Sequence, residues 1–250
     1  HHNFVQRWNE ASDRMAEDGC WGAGSASSLP FPTRVPGERG SAVVQIQRTI
    51  HEGRYLDGQA TPEGRPFDIA LGERSNLHAY CAAIQGARRS IYIENQSVDV
   101  PEIVECLRGA LARGVDVILV MPADPEAFPD ARRALGECGN FLLAGIAGVG
   151  ADGRRKPIHV HSKLMLIDDE WATVGSCNLH YYSLFGNSEI NAAFTEPATV
   201  RAFRGELFRE HLEEETSGLD DRNAFELFRT VARANRKRWA AGDDAWQGLA

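Results

Sequence analysis

Two apolar runs, Leu164-Met165-Leu166-Ile167 and Trp171-Ala172-Thr173-Val174-Gly175, flank the turn-forming Asp168-Asp169-Glu170. This stretch constrains the chain most. Each run is the length of a strand, and the acidic turn between them folds the pair into a hairpin. Residues two apart on a strand share a face. His159, His161, Lys163, Met165 and Ile167 therefore point one way, and Val160, Ser162, Leu164 and Leu166 the other. Ser176 and Asn178 follow the second run, again two apart. Closing the hairpin brings His161, Lys163, Ser176 and Asn178 to one end of a sheet.

That set suits phosphoryl chemistry. Lys163 offers a compact cation to a phosphate oxygen. Ser176 and Asn178 offer hydrogen bonds where charge develops. His161 can attack phosphorus or move a proton. A carboxylate is still needed to hold its tautomer, and Asp168 and Glu189 are the local candidates. The lysine and the donors supply the positive field, so the set requires no metal or other cofactor.

The rest of the chain reads as scaffold. Ser41–Ile50 alternates as a strand. Leu77, Tyr80, Cys81, Ile84 and Ala87 mark a helical face. Ser90–Glu94 is β-rich and ends in Glu94-Asn95-Gln96, where Asn95 and Gln96 are candidates to line a pocket. Pro101 opens a helix that Gly114 closes. Val115–Met121 is a strand buried on both faces. A short helix at about 129–137 and an apolar segment 141–149 follow. This alternation predicts an α/β fold with a mixed, largely parallel sheet flanked by helices on both faces. Two further helices present Val200, Phe203, Leu207, Phe208 and Leu212, then Phe225, Phe228, Val231 and Ala232.

Three segments are expected. Residues 1–40 hold an N-terminal helix, with Phe4, Trp8, Ala11 and Met15 on one face, and a Pro/Gly-rich linker. Residues 41–218 form the catalytic domain and 219–250 a C-terminal helical extension. The chain starts His1-His2-Asn3 in what reads as the middle of a helix, which suggests a fragment. Five scattered cysteines without metal-ligand spacing read as free thiols. The net charge of −8 argues against nonspecific nucleic-acid binding.

The spacing His161-x-Lys163-x4-Asp168-x6-Gly175-Ser176-x-Asn178 resembles the HKD signature of the phospholipase D superfamily. Glu189, 11 residues past Asn178, stands where members carry an active-site glutamate. Asp169–Ser176 and Asn187–Asn191 resemble the cardiolipin synthase branch. Segments 91–96 and 112–117 are similar to those before the second motif of two-motif members, and Phe4–Asn9 to the helix that closes their first half.

The resemblance implies a phosphodiesterase or phosphatidyltransferase that works through a phosphohistidine. Its substrate is a phospholipid, with water or an alcohol as acceptor. His161, Lys163, Asp168 and Glu189 are then catalytic, and Ser176, Asn178, Asn95 and Gln96 bind substrate. Such an enzyme uses two motifs, and this chain has one His-x-Lys. The other comes from a longer chain or from a homodimer mate. A homodimeric metal-independent nuclease and a non-catalytic scaffold half are the rival readings. Nucleic acid is the less expected partner. A cytoplasmic or peripheral membrane location fits the lipid reading.

Overall fold

The computed structural model describes residues 1–13, 29–35, 37–55, 60–66, 68–123 and 129–250. The expected linker falls partly outside them, at 22–28 and 36, as does Met15.

Helix α1 (His2–Asp13) comes first, then strands β1 (Val43–Ile50) and β2 (Glu73–Arg74). A βα stretch follows: α2 (Ser75–Gly86), β3 (Ser90–Glu94), α3 (Pro101–Ala112), β4 (Asp116–Val120), α4 (Pro129–Leu135) and β5 (Phe141–Ala144). A small hairpin, β6 (Ala147–Val149) with β7 (Arg155–Pro157), leads to β8 (Leu164–Ile167), β9 (Trp171–Gly175) and β10 (Glu189–Thr195). Helices α5 (Pro197–Leu212) and α6 (Asp221–Ala240) complete the described chain. Gly114 follows α3 at a φ of 85°, which suits a residue without a Cβ.

The main sheet runs β2-β1-β10-β9-β8-β3-β4-β5. Only β3/β4 and β4/β5 are parallel; the other neighbours are antiparallel. The mixed α/β class stands, but the sheet is mostly antiparallel, not largely parallel. Only β3-α3-β4-α4-β5 makes helical crossovers. Strands β8, β9 and β10 follow one another as antiparallel neighbours, and β1 joins beyond β10.

Both faces are covered, as the continuous burial of β3 requires. Ile91 and Ile93 face α2, α3 and α4, in a cluster with Tyr80, Ile84, Ile103, Leu107, Leu135, Met165 and Ile167. Tyr92 faces α5 and α6, in a cluster with Phe208, Phe225, Phe228, Leu164 and Leu166. The Tyr92 ring meets Phe208 edge-on at 5.0 Å and Phe228 at 6.0 Å. Residues 219–250, expected as an extension, thus supply part of the main core. Burying a phenylalanine such as Phe225 or Phe228 contributes about 1.5–3 kcal/mol.

Helix α1 turns its face differently from the expectation. Phe4 and Trp8 are exposed and stack on each other, whereas Val5 and Gln6 are buried. The reason is polar. Arg48 on β1 donates to Asn3 Oδ1 and Gln6 Oε1, both at 2.9 Å, which fixes the inward side of the helix.

Candidate active site

The hairpin is built as its sequence demands. Met165 and Ile167 enter one core and Leu164 and Leu166 the other. Asp168 and Asp169 both adopt positive φ, 57° and 54°, which short polar residues tolerate in a tight turn. Strand β8 pairs Leu164 with Glu94 on one side and with Val174 on the other. The start of β8, the carboxyl ends of β3 and β9 and the start of β10 therefore meet at one end of the sheet.

Lys163 sits at that end, buried, and its Nζ donates to the His161 carbonyl at 2.7 Å and to Gln96 Oε1 at 3.4 Å. Desolvation holds the Lys163 ammonium below the usual lysine range, with the Glu189 charge partly opposing it. His161 is exposed, and its ring lies 6.2 Å from that of His159. No described residue hydrogen-bonds the His161 ring.

Across the sheet, Ser176 Oγ donates to Glu189 Oε2 at 2.5 Å and accepts from the Ile190 N–H at 3.1 Å. Ser183 Oγ donates to the other carboxylate oxygen of Glu189 at 2.8 Å. Glu189 is therefore oriented by two hydroxyls, and in this chain it does not touch His161. Asn178 is half-buried, and its Oδ1 is buried with no hydrogen-bond partner among the described residues.

Two expected site residues turn out to be braces. The Asn95 side chain is buried, and its Oδ1 accepts from Ser97 N–H and Leu179 N–H, both at 3.2 Å. Its oxygen ties the Gln96 loop to the Asn178 loop. Asp168 lies at the opposite end of β8 from Lys163, about 16 Å along the strand at ~3.3 Å per residue. Its carboxylate accepts the backbone N–H groups of Arg88, Arg89 and Ser90, at 2.8, 2.8 and 2.9 Å. His161, Lys163, Gln96, Ser176, Asn178 and Glu189 are brought to one end; Asp168 is not.

Beneath the site are supports that the spacing did not single out. Asn191 Oδ1 accepts from Cys177 N–H at 3.1 Å, and its amide donates to Tyr80 Oη at 2.8 Å. Tyr80 Oη donates to the Cys177 carbonyl at 3.0 Å. A Cβ on Gly175 would strike Asn191 and the Ile190 backbone, so only glycine lets β9 and β10 approach there. Burial pushes the Cys177 thiol up to about 12, which leaves it protonated and not a nucleophile. Ser183 was also missed, because it is joined to Glu189 through a short π-helical turn, Tyr182–Gly186, that no periodicity announces.

The chain matches the family described as cardiolipin synthase, PLD-like domain, over residues 80–211, which takes in the whole of this constellation. The chain belongs to the phospholipase D superfamily. It is 30% identical over 182 residues to cardiolipin synthase 2 of Bacillus anthracis, covering 71% of this chain and 33% of that protein. It is 37% identical over 114 residues to cardiolipin synthase B of Escherichia coli K12, covering 45% of this chain and 26% of that protein. The matched segments thus span about a quarter to a third of the length of these superfamily relatives. NucT from Helicobacter pylori, a solved structure, is 19% identical over 53% of this chain and 85% of that one. Its TM-score of 0.47 is too loose an overlap to speak to substrate.

Proposed function

We propose that this superfamily domain carries one half of a phosphodiester-transferring active site that acts on phospholipids. The observation behind the reading is the juxtaposition of Lys163, held in place by the His161 carbonyl and Gln96, with the exposed His161 ring. A buried ammonium is a poor surface cation and a good anion site, because an incoming phosphate restores the solvation it lacks. The similarity to cardiolipin synthases supports phospholipid as the substrate class.

In this reading Lys163 holds a non-bridging phosphate oxygen, and Ser176, whose proton goes to Glu189, acts through that carboxylate. Turning the Asn178 amide over would add a second donor. His161 is one of two imidazoles, the second coming from another His-x-Lys motif in a longer chain or in a second copy. One imidazole attacks phosphorus and displaces the alcohol, whose oxygen takes a proton from the other. The second imidazole then removes a proton from water or an acceptor alcohol, whose oxygen breaks the phosphorus–nitrogen bond. Glu189 is oriented by Ser176 and Ser183 at the same end of the sheet as Lys163. Contact with a membrane surface at this end follows from the substrate.

The test uses the full-length protein with a short-chain phosphatidylglycerol and ethanol. Transfer to the alcohol is expected. His161→Ala should lower it by roughly 10³-fold. Unchanged turnover in that variant, or cleavage of DNA with no turnover of lipid, would overturn the reading.

A further inference from the structure

Beside Glu189 lies a second cavity, of about 460 Å³, walled by Arg7, His51, Arg54, Asn187, Ser188 and Glu189. Its walls are mostly polar. Arg7 and Arg54 are exposed, and neither has an ion-pair partner among the described residues. This chain has 35 acidic side chains against 27 lysines and arginines, and some of the cations pair with a buried carboxylate. Arg89, Arg204 and Arg229 do so. Two guanidiniums with no carboxylate partner among the described residues, on one cavity, make it suited to an anion.

The walls are fixed by packing remote from the cavity. Arg7 rides on α1, which Val5 and Gln6 seat and Arg48 clamps. His51 follows the last residue of β1, two positions beyond Thr49, which pairs with Glu189. Arg54 follows the Gly53 turn, whose N–H donates to the Ala70 carbonyl at 2.8 Å. Tyr55 is buried with Ile50 and Ile69 and anchors that turn. The His51 Nδ1 lies 2.6 Å from the Glu52 carbonyl, which makes it the protonated nitrogen, so Nε2 can donate to a phosphate only in the imidazolium form.

We propose that Arg7 and Arg54, with His51, form a second phosphate site next to the catalytic one. Planar guanidiniums suit phosphate because each can donate two parallel hydrogen bonds. The single carboxylate on the wall, Glu189, is already engaged by Ser176 and Ser183. It also sets the inner limit of the site, because its charge repels a phosphate from that side. The ligand is a phosphate group, carried by a lipid headgroup or free. Placing it beside the reaction rests on the phosphodiester reading above; phosphate binding itself does not. A substrate or acceptor with a second phosphate would thereby be held at two points, Lys163 and the arginine pair.

The experiment measures inorganic phosphate binding by calorimetry in the full-length protein with Lys163→Met, which silences the catalytic cation. Binding should persist there, and adding Arg7→Gln with Arg54→Gln should weaken it by roughly tenfold or more. In the wild-type background the same pair should remove one binding event, which serves if the lysine variant does not fold. Absence of binding in Lys163→Met protein that is folded, or equal binding after the arginine changes, overturns the proposal. Short-chain phosphatidylglycerol separates the two sources: displacement of the phosphate assigns the site to a headgroup, and no displacement assigns it to free phosphate. If lipid turnover fails while the arginine-dependent binding stands, the reading of the catalytic site is at fault and this site is not.

Discussion

The Asp168 carboxylate accepts the Ser90 N–H at 2.9 Å, and it takes the N–H groups of Arg88 and Arg89 as well. One buried carboxylate thus satisfies the three donors at the start of β3, and locks the β8–β9 turn to the strand beside it. Hydrogen bonds to a charged acceptor are among the stronger ones, and removing the acceptor strands buried donors. Asp168→Ala should destabilise the fold by about 3 kcal/mol. Below its unfolding temperature the variant should keep a KM within about twofold of the wild type. Urea denaturation beside steady-state kinetics checks this; intact stability with a collapsed kcat would return Asp168 to the chemistry.

The same turn is held on the other face of the sheet. Arg204 is buried and donates to both oxygens of Asp169, at 2.7 and 2.9 Å, and to the Leu219 carbonyl. Breaking such a pair from one side leaves a buried carboxylate whose remaining cation, the exposed Arg201 at 3.5 Å, compensates it only in part. Arg204→Met should therefore cost about 3–5 kcal/mol. Adding Asp169→Asn should recover a good part of that, since Asn tolerates the positive φ of 54°. If chemical denaturation shows the two losses simply adding, the pair is not the coupled unit described.

Much of this was readable in the sequence. Local signals carried it: the two-residue period of β8, the acidic turn, the helical faces of α2, α3, α5 and α6. Partner choice was not readable, because strand pairing is non-local. Nothing in Val43–Ile50 says that it lies against β10, so the antiparallel majority was missed. Asp168 illustrates the limit within the site. Its spacing from His161 is part of the superfamily pattern, yet a strand of this length carries it to the far end of the sheet. Asn95 was misjudged for the opposite reason, since it lies at the right end of β3 but spends its oxygen on Leu179 and Ser97. On α1 the hydrophobic spacing of Phe4 and Trp8 was overruled by the Arg48 hydrogen bonds to Asn3 and Gln6.

A buried polar cluster under the site gives a pH-dependent prediction. Glu94 accepts from Tyr92 Oη and pairs with His211 Nε2, each at 2.8 Å. Burial opposes its ionisation, but the His211 hydrogen bond and charge, with help from Tyr92 and Ser162, outweigh burial and hold its carboxyl below the usual range. A carboxylate depressed in the folded state binds its proton more weakly there than in the unfolded chain. Its contribution is complete above the unfolded value of about 4.3, and is lost as pH falls through the lower folded value. Glu94→Gln should remove that part of the acid sensitivity, and its stability at neutral pH should fall. Urea midpoints between pH 7 and pH 3 report both; parallel profiles for the two proteins would refute the linkage.

Lys163 gives the complementary prediction at alkaline pH. Desolvation favours its neutral form, while Glu189 favours the charged one less strongly. The proton on Nζ is therefore lost at a pH below the ordinary lysine value of about 10.4. Phosphate needs the ammonium, so binding at Lys163 should be full near neutrality and decline as pH rises through that lowered value. Lys163→Arg keeps its charge far beyond this range and should abolish the alkaline decline. Its affinity at pH 7 should nonetheless be weaker, because a planar fork does not reproduce a point charge seated against the His161 carbonyl and Gln96. Competition by inorganic phosphate against a short-chain lipid substrate, followed from pH 7 to pH 10.5 with Arg7→Gln/Arg54→Gln as background, isolates this site. An alkaline decline that persists unchanged in Lys163→Arg would show that another group, and not Lys163, titrates there.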